Sequence, residues 1–121
     1  MRLNLNSAMN VIGLKRKKLF DLLRIRKDLH CWLEGKEYLD TAFDQLSNET
    51  NEIIVFVSCL IDEARGCFEG AENARRWFGR RNSALNHKKP QKILFVRGVG
   101  NKEGIERVRN LIGQIERGIY S

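Results

Sequence analysis

At 121 residues, with a single proline and 42% of residues in the hydrophobic set, the chain has the size and composition of one folded unit. This excludes a multidomain enzyme, a collagen-like repeat and a disordered tract. Its formal charge of +7 is segregated: residues 1–36 carry nine Lys/Arg against three acids, 37–72 one against nine, and 73–121 twelve against three. Two basic regions flanking an acidic middle would draw a nucleic acid or an acidic partner to either end.

The first elements read as short helices. Leu3, Leu5, Ala8, Met9 and Ile12 recur at three-to-four spacing and predict a helix ending near Gly13, which punctuates a turn. In "LKRKKLFDLLRI" the residues Leu19, Phe20, Leu22 and Leu23 form a broad apolar face, with Lys15, Arg16, Lys17 and Lys18 gathered at its start. A third short helix runs from Asp28 through Leu29, Trp32 and Leu33 toward Gly35, its start rich in Arg24, Arg26 and Lys27. A basic helix, a brief turn and a second helix with polar residues is compatible with helix-turn-helix geometry, in which the second helix enters the major groove; many small helical bundles share the pattern.

Tyr38 to Leu46 is predicted helical, with Leu39, Phe43 and Leu46 inward, before the polar break "SNETN". There Ser47 or Asn48 can cap a long helix from Glu52 to Phe68. The β-branched first half of that segment suits a buried strand equally well, and helix is preferred because no other strong strand offers itself as a partner. Between Ile53 and Ile61 the helix is apolar on nearly all sides, which a small monomer struggles to bury, so homodimerisation through it is expected.

Beyond Gly70, "AENARRWF" predicts a short helix with Ala71, Ala74, Trp77 and Phe78 toward the core, and "GRRNSALNHKK" a basic loop. Pro90 opens the helix "PQKILFV", where its missing amide is not needed, and "RGVGN" is a turn. Asn101 caps a last helix from Lys102 to Arg117, whose Ile105, Val108, Leu111, Ile112 and Ile115 share one face. Gly118 follows where positive φ costs little, leaving "IYS" as a tail.

No motif for catalysis emerges. "GVGNKEG" matches neither glycine-rich phosphate-binding pattern and reads as a turn with a helix cap. His30 and Cys31 are adjacent and diverge along a helix, Asp62–Glu63 reads as a solvated face, and His87 sits in a polar loop. Cys31, Cys59 and Cys67 match no zinc spacing and are expected as reduced thiols. The expectation is a protein that is not an enzyme and uses no cofactor and no metal. The longest apolar run is far below a membrane-crossing length and no leader is recognisable, so a cytoplasmic location without a membrane partner is expected.

Taken together, "AENARRWFGRRNSALNHKKPQKILFVRGVGNKEGIERVRNLIGQIERGIYS" resembles the C-terminal toxin-binding domain of Xre/MbcA/ParS-type antitoxins. The outline of that domain is an alanine-containing helix with tryptophan, an N-x-x-L turn, a proline-started helix, a glycine, and a last helix ending in glycine. It falls here on Ala74, Trp77, Asn82, Leu85, Pro90, Leu94, Gly98 or Gly100, Val108, Leu111, Ile115 and Gly118. "NHKKP" lacks the second glycine usual near the proline, and "VRGVGNKEG" is an enlarged or altered turn; residues 1–60 are only generally similar to the Xre-like region.

The resemblance implies an all-α, small helical bundle with an Xre-like helix-turn-helix N-terminal part over 1–50, a linking helix and dimer interface over 51–70, and a helical toxin-binding part over 71–121. It further implies an antitoxin that covers the active site of a cognate RES-domain, NAD-consuming toxin and represses its own operon through operator DNA, as a homodimer within a toxin–antitoxin hetero-oligomer. Toxin contacts would then fall to Arg107, Arg109, Arg117, Gly118, Ile119, Tyr120 and Ser121. DNA phosphate contacts would fall to Lys15, Arg16, Lys17, Lys18, Arg24, Arg26 and Lys27. The alternatives are a stand-alone helix-turn-helix regulator and an adaptor with another protein partner. The dimer expectation predicts a mass near twice 14.1 kDa by light scattering, and a monomer at high concentration would reject it.

Overall fold

The computed structural model describes residues 1–118. Helix α1 (Leu5–Ile12) begins where the Asn4 side chain accepts the Ser7 amide at 2.9 Å. It ends at Gly13, whose φ of 81° is left-handed and whose amide bonds back to the Met9 carbonyl. Helix α2 (Arg16–Leu22) starts after the short turn Gly13–Lys15, and α3 (Lys27–Leu33) follows, so the three expected helices form. Leu5, Ala8, Val11, Ile12, Leu19, Phe20, Leu22, Leu29 and Leu33 all face the interior.

One expected helix does not form. Residues 38–46 contain strand β2 (Tyr38–Asp40), which pairs antiparallel with β1 (Arg2–Asn4), Leu3 lying opposite Leu39. Both leucines are buried while Tyr38 and Asp40 point out, the alternation of a half-buried strand. Asp40 then accepts the Ala42 amide on its side chain at 2.9 Å, a local bond that favours a turn over helix continuation.

Helix α4 (Asn48–Cys67) is the longest element and begins earlier than its apolar pattern suggests, because Ser47 caps it by accepting the Thr50 amide at 3.1 Å. The Thr50 hydroxyl in turn donates to the Arg24 carbonyl at 3.0 Å, tying the cap to the segment after α2. Ile53, Ile54, Val57, Leu60, Ile61 and Ala64 are buried, and α1, α5 (Ala71–Phe78) and α7 (Lys102–Glu116) pack around them. The apolar run that suggested a dimer is therefore largely covered by its own chain. Val55 at 37% exposure and half-buried Phe56 remain at the surface.

The segment from Pro90 also departs from expectation. Helix α6 (Pro90–Ile93) is a single turn, and Phe95–Val96 (β3) and Val99–Gly100 (β4) form a hairpin. Its loop, Arg97 and Gly98, has φ of 54° and 82°, the doubly left-handed loop whose twist matches paired strands. Asn101 stands at the start of α7 by backbone geometry, yet its side chain makes no cap bond; its amide instead donates to the Leu94 carbonyl at 2.9 Å.

The glycines around that hairpin are packing residues. A Cβ at Gly100 would drive into the Leu22 carbonyl at the end of α2, and one at Gly104 into the Ile93 carbonyl of α6. Glycine thus lets backbone meet backbone at two places along one turn. A single apolar cluster runs from Leu3 to Ile112, so the amino-terminal, central and carboxyl-terminal stretches share one core. Among the described residues the architecture is an all-α small bundle of seven helices carrying two short ribbons, and no helix is long and apolar enough to cross a membrane.

Gly100→Ala is expected to destabilise the protein by roughly 2 kcal/mol or more, because the obstructing atom is backbone and cannot rotate away. Gly66→Ala, within α4 and with nothing near the added methyl, is expected to raise stability by up to about 1 kcal/mol. Denaturant unfolding measures both, and equal effects would contradict the close-approach account.

Candidate functional site

The acidic middle of the sequence is neutralised by both basic ends. On α4, Glu49 pairs with Arg24, Glu52 with Lys102 and Glu63 with Arg109. Arg24 also donates from Nε to the Gly100 carbonyl at 2.7 Å, so its guanidinium joins the end of α2, the start of α4 and the hairpin. Arg109 makes a two-pronged contact with Glu63 at 2.8 and 3.2 Å and reaches Glu106 at 2.9 Å. The bonds from Glu63 outweigh partial burial and hold the Arg109 guanidinium protonated above the usual arginine range, with the charges of Glu63 and Glu106 adding to the effect. Two cations singled out from sequence for intermolecular contact, Arg24 and Arg109, are thus engaged inside the protein.

The remaining amino-terminal cations are differently placed. The turn at Gly13 joins α1 to α2, and a second turn over residues 23–26 joins α2 to α3, so the basic cluster lies at the start of the middle helix of the three. Lys15, Lys17, Lys18 and Lys27 are exposed and make no ion pair among the described residues. Arg16 is half-buried, donating to the Lys36 carbonyl at 3.0 Å and to Asn6 Oδ1 at 3.2 Å. Arg26 forms an exposed pair with Asp28 at 3.3 Å.

Sequence reasoning missed the partner of this cluster. Lys15 and Lys18 share a cleft of about 380 Å³ with Gln91, Lys92, Phe95 and Gly98, residues of α6 and the hairpin. The Lys18 ammonium lies 5.6 Å from the Phe95 ring centroid, within range of the ring's negative face. Arg75 of α5 packs its stem against Gly13, so three segments bring cations around one turn. The charge excess of residues 73–121 announced this, but not where it would land.

On the other side, α7 carries the remaining sequence-selected residues. Arg117 and Arg109 line a groove of about 470 Å³ with Glu63, Glu106 and Glu116. Exposed Arg107 instead borders a shallow depression with Phe56 and Lys102. Gly118 has a φ of 78° and its amide donates to the Ile115 carbonyl at 3.0 Å, closing the helix. Ile119, Tyr120 and Ser121 lie outside the described residues.

His30 is used structurally: its Nε2 is 3.0 Å from the Ile25 carbonyl and its ring lies 5.0 Å from that of Phe20. Cys31, Cys59 and Cys67 are free thiols; burial, then the charge of Glu116, pushes the Cys67 thiol up. Trp77 stacks on Phe68 at 5.0 Å as a packing residue, whereas Trp32 is exposed and stacks on Phe43 at 4.9 Å.

No protein-family model matches the chain, and no curated protein matches it.

If the Glu63–Arg109 bridge anchors α7 to α4, Glu63→Gln and Arg109→Gln should each cost about 1–2 kcal/mol, and the double variant less than their sum. Partial exposure of both groups keeps the figure well below that of a fully buried pair. Strictly additive losses in urea unfolding would show that the bridge does not couple the helices.

Proposed function

We propose that the protein is an antitoxin of the Xre/MbcA/ParS type, which binds a cognate RES-domain toxin through its carboxyl-terminal part and represses its own operon through its helix-turn-helix part. The observation that carries this reading is the role of each residue in the resembling outline. Ala74, Leu85, Leu94 and Val108 are core residues, and the Asn82 side chain accepts the Ala84 amide at 2.9 Å. Pro90 sits at the first turn of α6, Gly100 meets Leu22, and Gly118 ends α7 in the left-handed region. The departure at "NHKKP" is accommodated as well: Asn86 and His87 have φ of 56° and 62°, the conformation that glycine would supply.

In this reading α7 is a rigid arm. Arg109 holds it on α4, Gly118 redirects the chain, and Arg117 with Ile119, Tyr120 and Ser121 enters the toxin's NAD cleft, blocking access without chemistry of its own. Arg107 adds a peripheral charged contact. Lys15, Lys17, Lys18 and Lys27 supply phosphate contacts at the operator, with Arg16 and Arg26 at the margin of that surface, while Arg24 supports it from within. Val55 and Phe56 mark the apolar surface available to a homodimer within the toxin–antitoxin assembly.

Co-expression with a RES-domain protein encoded beside its gene tests the reading: a stable complex that preserves cellular NAD is expected. Deleting Ile119 to Ser121 should leave the melting temperature unchanged and weaken inhibition at least about tenfold, the loss of one well-placed apolar contact and its polar neighbours. No complex, or full inhibition by the truncated chain, would contradict the proposal.

A further inference from the structure

The hairpin β3–β4 belongs to the carboxyl-terminal part, yet it is built against the amino-terminal helices. Gly100 meets the Leu22 carbonyl, Arg24 donates to the Gly100 carbonyl at 2.7 Å, and Lys18 lies over Phe95. These three contacts fix the hairpin beside α2, on the side that carries Lys15 and Lys18. The cleft between them is lined by Lys15 and Lys18 at the start of α2, by Lys92 from α6, and by Phe95 and Gly98 of the hairpin. Arg97, next to Gly98, occupies the tip itself, exposed and without an ion pair among the described residues. Val96 and Val99, flanking it, are 50% and 44% exposed, so the tip projects from the body.

From this arrangement we infer that the hairpin acts as a wing for the helix-turn-helix, with Arg97 and Lys92 contacting the backbone of the same duplex nucleic acid that Lys15, Lys17 and Lys18 engage. The inference rests on the DNA-binding half of the proposed function and extends it, because it gives the carboxyl-terminal part a share in that surface. Duplex DNA fits better than an acidic protein for two reasons. The cations are spread over a helix start and two neighbouring segments, as contacts to successive phosphates along a duplex require, and Lys15, Lys17, Lys18, Lys92 and Arg97 make no ion pair with an acidic side chain among the described residues. One consequence is coupling. Since α6 and the hairpin lead directly into α7, toxin bound along α7 and DNA bound at the wing act on adjoining elements.

The test uses the full chain and a fluorescein-labelled, random-sequence duplex of about 30 base pairs, with anisotropy followed from about 50 to 200 mM salt. The variant is Lys92→Gln with Arg97→Asn, asparagine tolerating the left-handed backbone at the tip; the comparator, Arg2→Gln with Arg65→Gln, loses the same charge away from the cleft. The wing variant should weaken binding on the order of tenfold at low salt and reduce the log–log salt slope by about 2, roughly 0.9 per lost phosphate contact. The comparator should leave the slope near that of the wild type. Lys92→Gln alone, at an exposed site, should lower the slope by about 1 and keeps the test independent of any effect on the hairpin's folding. Equal slopes for the wing variants and the wild type would overturn the wing and leave DNA binding by α2 intact. Wild-type protein with no salt-dependent binding would overturn both.

Discussion

Helix α4 must satisfy two demands at once, an apolar side that needs burial and an acidic side that needs cations, and both are met from within the chain. Its isoleucines, Val57 and Leu60 are enclosed by α1, α5 and α7, so elements distant in sequence converge on one cylinder. Its glutamates receive Arg24 from the amino-terminal side and Lys102 and Arg109 from the carboxyl-terminal side. The charge segregation along the sequence is thereby partly cancelled in space. Among the cations left uncancelled, Lys15, Lys18 and Lys92 come together in one cleft where the start of α2 meets α6 and the hairpin.

Backbone contact completes what the side chains begin. The close approach of Gly100 to Leu22 and of Gly104 to Ile93 leaves no room for a side chain, so the hairpin and α7 are seated by steric fit rather than by adjustable packing. Arg24 reinforces the first of these seats from its own half-buried position, and Thr50 ties the cap of α4 to the carbonyl of that same arginine. The amino-terminal helices and the carboxyl-terminal frame consequently behave as parts of one structure. A partner docking on α7 would press on elements that also border the basic cleft.

Much of the helical scaffold was legible because periodicity over eight or more residues reports burial directly: Leu5 to Ile12, Ile53 to Ala64 and Ile105 to Ile112 each reveal their inner face. The ribbons were not. Strands of two or three residues are too short to display alternation, so Leu3 and Leu39 were absorbed into helical spacings, and "FV" and "VG" vanished behind the proline that opens α6. The glycines of "RGVGNKEG" announced a turn, but the reason for two of them, contact with carbonyls of α2 and α6, is tertiary and leaves no local trace. The same holds for the candidate site. Lys15 to Lys18 stood out as a run, whereas the pairing that removes Arg24 and Arg109 from the free surface, and the proximity that brings Lys92 beside Lys18, depend on how α4 gathers both ends of the chain.

The central claim is that α4 binds the two basic ends of the chain into one cooperative unit. Native-state hydrogen exchange with increasing denaturant measures this most directly, since it resolves the opening free energy of each helix. The account predicts that the most protected amides of α1, α4 and α7 exchange through the same global opening, with a common free energy and a common dependence on denaturant. Release of α7, or of α1, at markedly lower free energy while α4 stays protected would contradict it.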